Sequence, residues 1–154
     1  MKHLKTGALW ISLLLCSLLA SSQKPAPVNE PNYNMPKLFA DLPQQIAVSI
    51  PALETLLGLS EGQAVSLPLV GNARLVGVVV SRSNPADSSV KSIVINATNR
   101  GGATFTFTRI RNTDGSFDYL GRILSYKNSD AYELVKEAGQ YRLVKRHLYD
   151  IFSE

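Results

Sequence analysis

The chain has 154 residues, 16 Lys and Arg against 12 Asp and Glu, and a formal net charge of +4. This length is typical of one ordinary domain with a single hydrophobic core. The small excess of positive charge argues against a general phosphate-binding surface, which needs clustered Lys and Arg.

Residues 1–22 have the pattern of a secretory signal peptide. Basic side chains precede an apolar run from Ala8 to Ala20, and small residues follow it. The run is shorter than the roughly 20 apolar residues that span a bilayer, so a membrane anchor is the weaker interpretation. Cys16 has the position of a lipoprotein cysteine, but the small residue that normally precedes it is Leu15 here, and lipidation is disfavoured. We therefore expect a secreted or periplasmic protein.

Removal of this segment has chemical consequences. The exported chain keeps 14 basic residues against 12 acidic ones, because two of the 16 lie in the signal, and its net charge falls to about +2. It has no cysteine and one histidine, His147. Disulfides, thiolate metal sites and cysteine nucleophiles are thereby excluded. One histidine cannot supply the three or four ligands of a zinc site. We expect no metal and no cofactor.

Residues 23–36 contain four prolines and almost no bulky aliphatic side chain. Such a segment buries too little apolar surface to offset its ordering entropy, so we predict a flexible leader. Residues 37–154 remain as the single domain.

The domain begins with a predicted short strand in residues 44–50, followed by a two-turn helix. Pro51 suits the first helical turn, and Gly58 suits a left-handed end. The leucines fall on one face, which must pack against a sheet because so short a helix is marginal alone. These leucines are Leu53, Leu56 and Leu57.

Strands follow at short intervals. AVSLPLV, ARLVGVVVSR and VKSIVINAT are rich in β-branched residues and are separated by Gly, Asn and Pro turn signals. TFTFTRIRNTDGSFDYLGRIL then alternates on both sides of Asp114-Gly115. A two-residue type I′ loop there would pair Arg111 with Asp118 and Phe107 with Arg122, and leave room beside Gly121 for a neighbouring chain or a bulge.

Residues 130–139 are compatible with two structures. A capping box and Gly139 indicate a helix, whereas the alternation on both sides of Ala138-Gly139 indicates a hairpin. The hairpin is preferred, because it aligns Leu134 with Leu143 and completes a series of ribbons. The last residues, from Leu148 onwards, have helical spacing and predict a short terminal helix.

The predicted fold is mainly β, of the α+β type. It is a single antiparallel meander or partly open barrel of about six strands, with a short N-terminal helix and a short C-terminal helix.

The exported chain is poor in catalytic groups. His147 and Asp150 share a helical face in this interpretation, but no serine stands in a G-x-S-x-G elbow, so a solvated histidine is the better interpretation. We expect no enzyme, and a small hydrolase that uses carboxylate pairs ranks third among the functions.

The candidate binding residues are Arg109, Arg111, Tyr119 and Arg122, which the sequence places on one hairpin. Aromatic and Arg side chains on a sheet can stack nucleic-acid bases. Two inward phenylalanines with a fringe of arginines give the same pattern in any small β domain, and export together with a near-neutral charge disfavours nucleic acid. A protein partner is expected instead, bound through this face or a sheet edge.

Several segments of the chain resemble the pro-region of secreted bacterial reprolysin-like zinc metallopeptidases. They are IAVSIPALETLLGL, AVSLPLVGNARLVGVVV, TFTFTRIRNTDGSFDYLGRI and AYELVKEAGQYRLVKR, which span most of residues 44–145. The family's H-E-x-x-H-x-x-G-x-x-H helix has no counterpart here. The resemblance therefore implies a free-standing relative of a pro-region that covers a protease's cleft, assists its folding, or has been recruited to another extracellular binding task. It implies structural roles for the matched residues Tyr119, Gly121, Arg122, Ile123, Tyr132, Glu133 and Leu134.

The expected function is thus that of a secreted or periplasmic, non-enzymatic binding module with a protein partner, a protease being one candidate. The alternative is a cell-envelope structural or adhesive protein of unknown ligand.

Overall fold

The computed structural model describes residues 34–152, so the predicted signal peptide and most of the predicted leader lie outside the described residues. The described chain forms one antiparallel sheet of eight strands, curled into a half-barrel, with two short helices. The mainly β prediction is confirmed, although about six strands were expected. The elements are β1 (Gln45–Ala47), α1 (Ile50–Leu56), β2 (Ala64–Pro68), β3 (Arg74–Arg82), β4 (Val90–Ala97), β5 (Thr104–Arg111), β6 (Phe117–Leu124), β7 (Asp130–Glu137), β8 (Gln140–His147) and α2 (Leu148–Phe152).

The strand order is β1-β8-β7-β6-β5-β4-β3-β2, a meander to whose last strand β1 is added. A register shift between Val79 and Ser81 marks a bulge in β3, and a bulge bends its strand and increases the local twist. The concave face carries the hydrophobic core, which includes Phe105, Phe107 and Ile123.

Helix α1 packs its leucine face into this concave side. Leu53, Leu56 and Leu57 are all buried, as the spacing predicts, and Pro51 lies in the first turn. The predicted left-handed stop at Gly58 is wrong. The helix ends at Leu56, the following Leu57 has the right-handed α conformation, and Gly58 donates its N–H to the Thr55 carbonyl at 3.2 Å.

The chain before β1, residues 36–44, crosses one end of the half-barrel. Phe39 is fully buried there, edge-on to Tyr132 with ring centroids 5.2 Å apart. The carboxylate of Asp130 accepts the N–H groups of Leu38 and Phe39 at 2.6 and 3.0 Å. Lys145 Nζ donates to the Phe39 carbonyl at 2.6 Å. The folded domain thus begins at the end of the predicted leader, and side chains of β7 and β8 hold its first residues.

The hairpin of β5 and β6 differs from its prediction by one residue. Arg111 lies opposite Phe117, and Phe107 lies opposite Gly121. Among the residues of this loop only Gly115 has a positive φ, of 85°, and Asn112 donates its N–H to the Ser116 carbonyl at 2.9 Å. These features are those of a three-residue loop that ends in a glycine bulge, whereas a type I′ turn needs two positive φ values.

This shift changes what surrounds two of the predicted features. The expected pair of Arg111 with Asp118 does not form, because Asp118 lies on the other face, where it accepts a bond from Asn112 at 3.0 Å. The space beside Gly121 is taken by the neighbouring strand β7, since a Cβ on Gly121 would lie 3.2 Å from the Cβ of Leu134.

The hairpin of β7 and β8 confirms the preferred alternative for residues 130–139. Leu134 lies opposite Leu143, and Ala138 and Gly139 have φ values of 48° and 80°, as a type I′ turn requires. Helix α2 forms as predicted and buries Ile151. His147 is the last residue of β8, so the expectation that it lies on a helix is wrong; it is exposed.

Candidate functional site

Basic side chains continue the concave face of the sheet beyond its apolar core. On β5 the buried Phe105 and Phe107 are followed on the same face by Arg109 and Arg111. Lys91 of β4 lies directly opposite Arg109, and Arg82 of β3 lies opposite the buried Ile93. Four cations therefore share this end of the concave face. They are named here the basic cluster: Arg82, Lys91, Arg109 and Arg111.

Helix α1 contributes one carboxylate to this end. Glu54 Oε1 accepts a bond from Tyr119 Oη at 2.8 Å and lies 3.2 Å from Arg109 Nη1. Burial, followed by the bond to Glu54, raises the pKa of Tyr119 to about 12. The phenol is therefore protonated at neutral pH and donates to the carboxylate, which ties the helix to the sheet.

The basic cluster carries more positive charge than this one carboxylate neutralises. Among the described residues, Arg109 is the member of the cluster that forms an ion pair. Lys91 and Arg109 are cross-strand neighbours, and like charges in that position are destabilising. The Nε of Arg82 is buried and has no hydrogen-bond partner within residues 34–152. The arrangement is one that an added negative charge would stabilise.

The acidic residues in the two loops that flank Arg111 are already engaged. Asp87 accepts both the N–H and the hydroxyl of Ser89, at 2.8 and 2.6 Å. Asp114 does the same with Ser116, at 2.9 and 2.6 Å. These hydrogen bonds lower the pKa of both carboxyls. The two carboxylates therefore stabilise their own loops.

An open cleft of about 690 Å³ lies where β1 ends beside β8. Lys145 donates its N–H to the Gln44 carbonyl at 2.8 Å, so by the alternation of antiparallel ladders Tyr141 also directs its main-chain N–H and C=O toward the β1 side. The chain leaves the sheet at Val48 to enter α1. Ala47 opposite Arg142 is the last pair of the two strands, and Tyr141 lies just beyond it at the edge of the cleft. Its lining residues are Gln45, Ala47, Val48, Ser49, Ile50, Pro51, Gly139, Gln140, Tyr141 and Arg142.

Aromatic rings connect the cleft with the basic cluster. Tyr141 packs edge-on against Tyr119 with ring centroids 5.4 Å apart, and Tyr119 stacks on Phe107 at 5.9 Å. The guanidinium of Arg109 lies over the ring of Phe117 at 4.5 Å. A continuous wall of rings thus runs from the cleft to the cations.

The free edge of β2 is less suited to accept another strand. Leu69 donates to the Ala73 carbonyl at 2.9 Å, so the even-numbered residues of β2 direct their main-chain groups outward. Pro68 has no N–H to offer, and Arg74 Nη2 already donates to the Ser66 carbonyl at 3.1 Å.

The structure divides the four predicted binding residues between two faces. Arg109, Arg111 and Tyr119 share the concave face, as the register of β5 and β6 requires. Arg122 lies opposite Thr106 on the convex face, where its Nη2 is 3.1 Å from Glu133 Oε1. The two β6 residues are three apart, so they lie on opposite faces in any register, and the one-residue shift decides which of them faces Arg109: the predicted register turned Arg122 toward Arg109, and the observed one turns Tyr119 toward it.

Sequence reasoning missed three residues of the site: Arg82, Lys91 and Glu54. The two basic residues occupy inward positions at strand ends, and a charge at an inward position of an apolar strand was the available signal. The sequence held no comparable signal for Glu54, because a Glu next to the apolar face of a surface helix is common.

Two absences hold for the part of the chain that the structure describes. Residues 34–152 contain no group of three His, Cys, Asp or Glu side chains placed to hold a metal ion. No helix in that range has the length and apolar character needed to cross a membrane.

Comparison of the chain with protein-family models, curated proteins and solved structures found no match.

Proposed function

We propose that this chain is a secreted or periplasmic, non-enzymatic protein-binding module that binds an extended, acidic segment of its partner. The excess positive charge of the basic cluster carries the proposal. A carboxylate brought between Lys91 and Arg109 would relieve their mutual repulsion. Charged side chains at such a surface also accelerate association and select against basic partners.

The cleft supports an extended conformation for the bound segment. A segment that lies in the cleft would continue the line of β1 along β8, in the manner of strand addition to a sheet edge. Its side chains would then follow the aromatic wall toward Arg109. Main-chain bonds would supply affinity, and the basic cluster would supply the preference for acidic side chains.

The class of partner follows from the expected export and from the resemblance to a protease pro-region. Both favour an extracellular or periplasmic protein, and a protease with an acidic surface segment is the first candidate. The domain would then act as an inhibitor or a folding assistant. Export itself predicts an amino terminus near residue 23 in the mature protein, which mass spectrometry of the exported fraction checks.

Selection of a random twelve-residue peptide library on the immobilised domain tests the proposal without a known partner. We expect enrichment of Asp and Glu, and affinities that fall as salt rises, because exposed charges are screened over about 10 Å at 0.1 M. The double variant Arg109→Gln, Arg111→Gln should bind the selected peptides at least roughly tenfold more weakly, or about 1.4 kcal/mol.

The control variant removes the same charge elsewhere. Lys127→Gln with Arg146→Gln lies at the opposite end of the strands and should leave the affinity within about twofold. Equal weakening by both double variants would mean that net charge alone attracts the peptides. Selection of peptides without acidic residues would refute the proposal.

The convex face favours the second candidate, a cell-envelope structural protein. Eight side chains of β4 and β5 point outward there and none is charged: Val90, Ser92, Val94, Asn96, Thr104, Thr106, Thr108 and Ile110. Such a face suits broad contact with another surface. Self-association in sedimentation that Thr106→Lys abolishes, without any peptide preference, would favour this candidate.

A further inference from the structure

A second pocket, of about 310 Å³, lies on the convex face where the ladder between β6 and β7 ends. These two strands share two ladder pairs, Arg122 with Glu133 and Ile123 with Tyr132, whereas β5 and β6 share eight. Small-molecule sites in proteins usually have volumes of about 300–1,000 Å³. The pocket is therefore large enough for one small ligand or for one unit of a polymer.

Two threonine hydroxyls contribute to the lining. Thr106 is exposed and Thr108 is half-buried, and both belong to β5. A hydroxyl offers one donor and two acceptor lone pairs, so the two threonines can bond to ligand groups of either kind. Thr104 shares this face of β5 but lies outside the pocket, and its hydroxyl donates to Asn96 Oδ1 at 3.3 Å.

An ion pair forms another part of the lining. Arg122 Nη2 lies 3.1 Å from Glu133 Oε1, and their side chains are 41% and 20% exposed. A guanidinium has five N–H donors and a carboxylate about four acceptor sites, so both groups can bond to more than each other. A charged ligand would be attracted by one partner and repelled by the other. A neutral hydroxyl, in contrast, can accept from Arg122 and donate to Glu133.

Leucine side chains give the pocket an apolar part. Leu120 of β6 is 57% exposed. Leu134 of β7 is buried in the core, and Gly121 has no side chain to cover it on the β6 side, where Leu134 Cδ2 lies 3.4 Å from the position that a Cβ would take. The lining thus combines an apolar surface with neighbouring hydrogen-bond donors and acceptors.

The main chain of β5 offers little to a bound peptide at this place. Thr106 and Thr108 are paired with β4 on one side and with β6 on the other. Because an interior strand uses its N–H and C=O groups in the two ladders, side chains must recognise the ligand. The chemistry favours a ring that carries several hydroxyls at its rim and C–H groups on its faces. A pyranose has this structure.

We propose that the pocket binds one neutral pyranose unit of a glycan. Sugar hydroxyls would bond to the two threonines and to the pair of Arg122 and Glu133, and a C–H face of the ring would pack against Leu120. This inference is independent of the proposed function, because the basic cluster lies on the concave face of the sheet.

NMR titration of the protein with three neutral tetrasaccharides tests the proposal: cellotetraose, chitotetraose and maltotetraose. At least one of them should shift the amide signals of Thr106, Thr108, Gly121 and Glu133 in a saturable way. The double variant Thr106→Val, Thr108→Val should bind that saccharide at least roughly tenfold more weakly, because two hydrogen bonds are lost. Its thermal midpoint should not fall, since valine is favoured in strands.

Controls separate a saccharide site from a merely apolar one. Thr104→Val makes the same change on the same strand outside the pocket and should leave the affinity within about twofold. Cyclohexanol, a ring of similar size with one hydroxyl, should shift the same amides less than the saccharide does. Equal weakening by Thr104→Val, an equal response to cyclohexanol, or binding that survives the double variant would overturn the proposal. Shifts centred on another surface, or none with all three saccharides, would also overturn it.

Discussion

Asp130 connects the first residues of the domain with its last strands, and its removal should be severely destabilising. The residue is 3% exposed, and its two carboxylate oxygens accept the N–H groups of Leu38 and Phe39. Phe39 is fully buried between β7 and the core. In Asp130→Ala both N–H groups lose their acceptor in a place that water reaches poorly.

The magnitude follows from these two bonds. A hydrogen bond to a charged group contributes about 1.5–3 kcal/mol net, and a buried donor left unpaired costs a similar amount. Because the two bonds share one acceptor and are not additive, we expect Asp130→Ala to lower the free energy of unfolding by about 3–4 kcal/mol. Asp130→Asn keeps one acceptor oxygen and turns an amide toward the other N–H, so about half of that loss should remain.

Urea unfolding measures the change, and Asp118→Ala is the control. Asp118 is exposed and accepts one bond from Asn112, so its removal should cost less than about 1 kcal/mol. Hydrogen exchange gives a local measurement, because the amides of residues 38 and 39 should lose protection in the variant. A loss below about 1 kcal/mol for Asp130→Ala would refute the assignment of this carboxylate as the main anchor of residues 36–44.

Three further predictions use other parts of the sheet. Ala138→Asn should stabilise the domain by about 0.5–1 kcal/mol, because Ala138 has a φ of 48° that Asn tolerates better; a lower melting temperature would contradict this. Gly77→Ala should destabilise it by roughly 3 kcal/mol, since the new Cβ would meet the Asn96 carbonyl and lie 2.8 Å from Ile95 Cγ2; an unchanged urea midpoint would show that β3 and β4 can separate. The pKa of Tyr119 is raised from its ordinary value of 10.0 to about 12 in the folded protein, so the protonated phenol stabilises the fold. This stabilisation is complete below pH 10 and is lost as the pH rises through 12. Tyr119→Phe should therefore remove one late step from the absorbance titration of the phenols, and a late part of the titration that stays unaltered would contradict the raised pKa of Tyr119.

Local signals in the sequence determined much of the fold. The hairpin at Ala138-Gly139 was predictable because alternation on both sides aligned Leu134 with Leu143, and a slip would have turned those leucines to solvent. The buried face of α1 was predictable from the spacing of its leucines. A helix or hairpin with one strongly apolar face can bury that face in few ways, so its register or orientation is predictable.

Local sequence signals do not determine the register of the hairpin at Asp114-Gly115. Asp-Gly suits both a two-residue loop and a three-residue loop with a glycine bulge. Both faces of these strands mix apolar and polar side chains, so the hydrophobic pattern does not select a register. The structure shows that Asn112 pairs with Ser116, and that one-residue difference moved Arg122 away from the site.

By itself the sequence determined the mainly β class, the strand segments, the helix face and the shared face of Arg109 and Arg111, because each depends on neighbours within a few residues. Only the tertiary structure decided which of these side chains meet. Glu54 and Tyr119 are 65 residues apart in the chain, and their contact depends on how the helix enters the curled sheet. The cleft has the same origin, since it exists only where β1 leaves β8, strands that begin 95 residues apart.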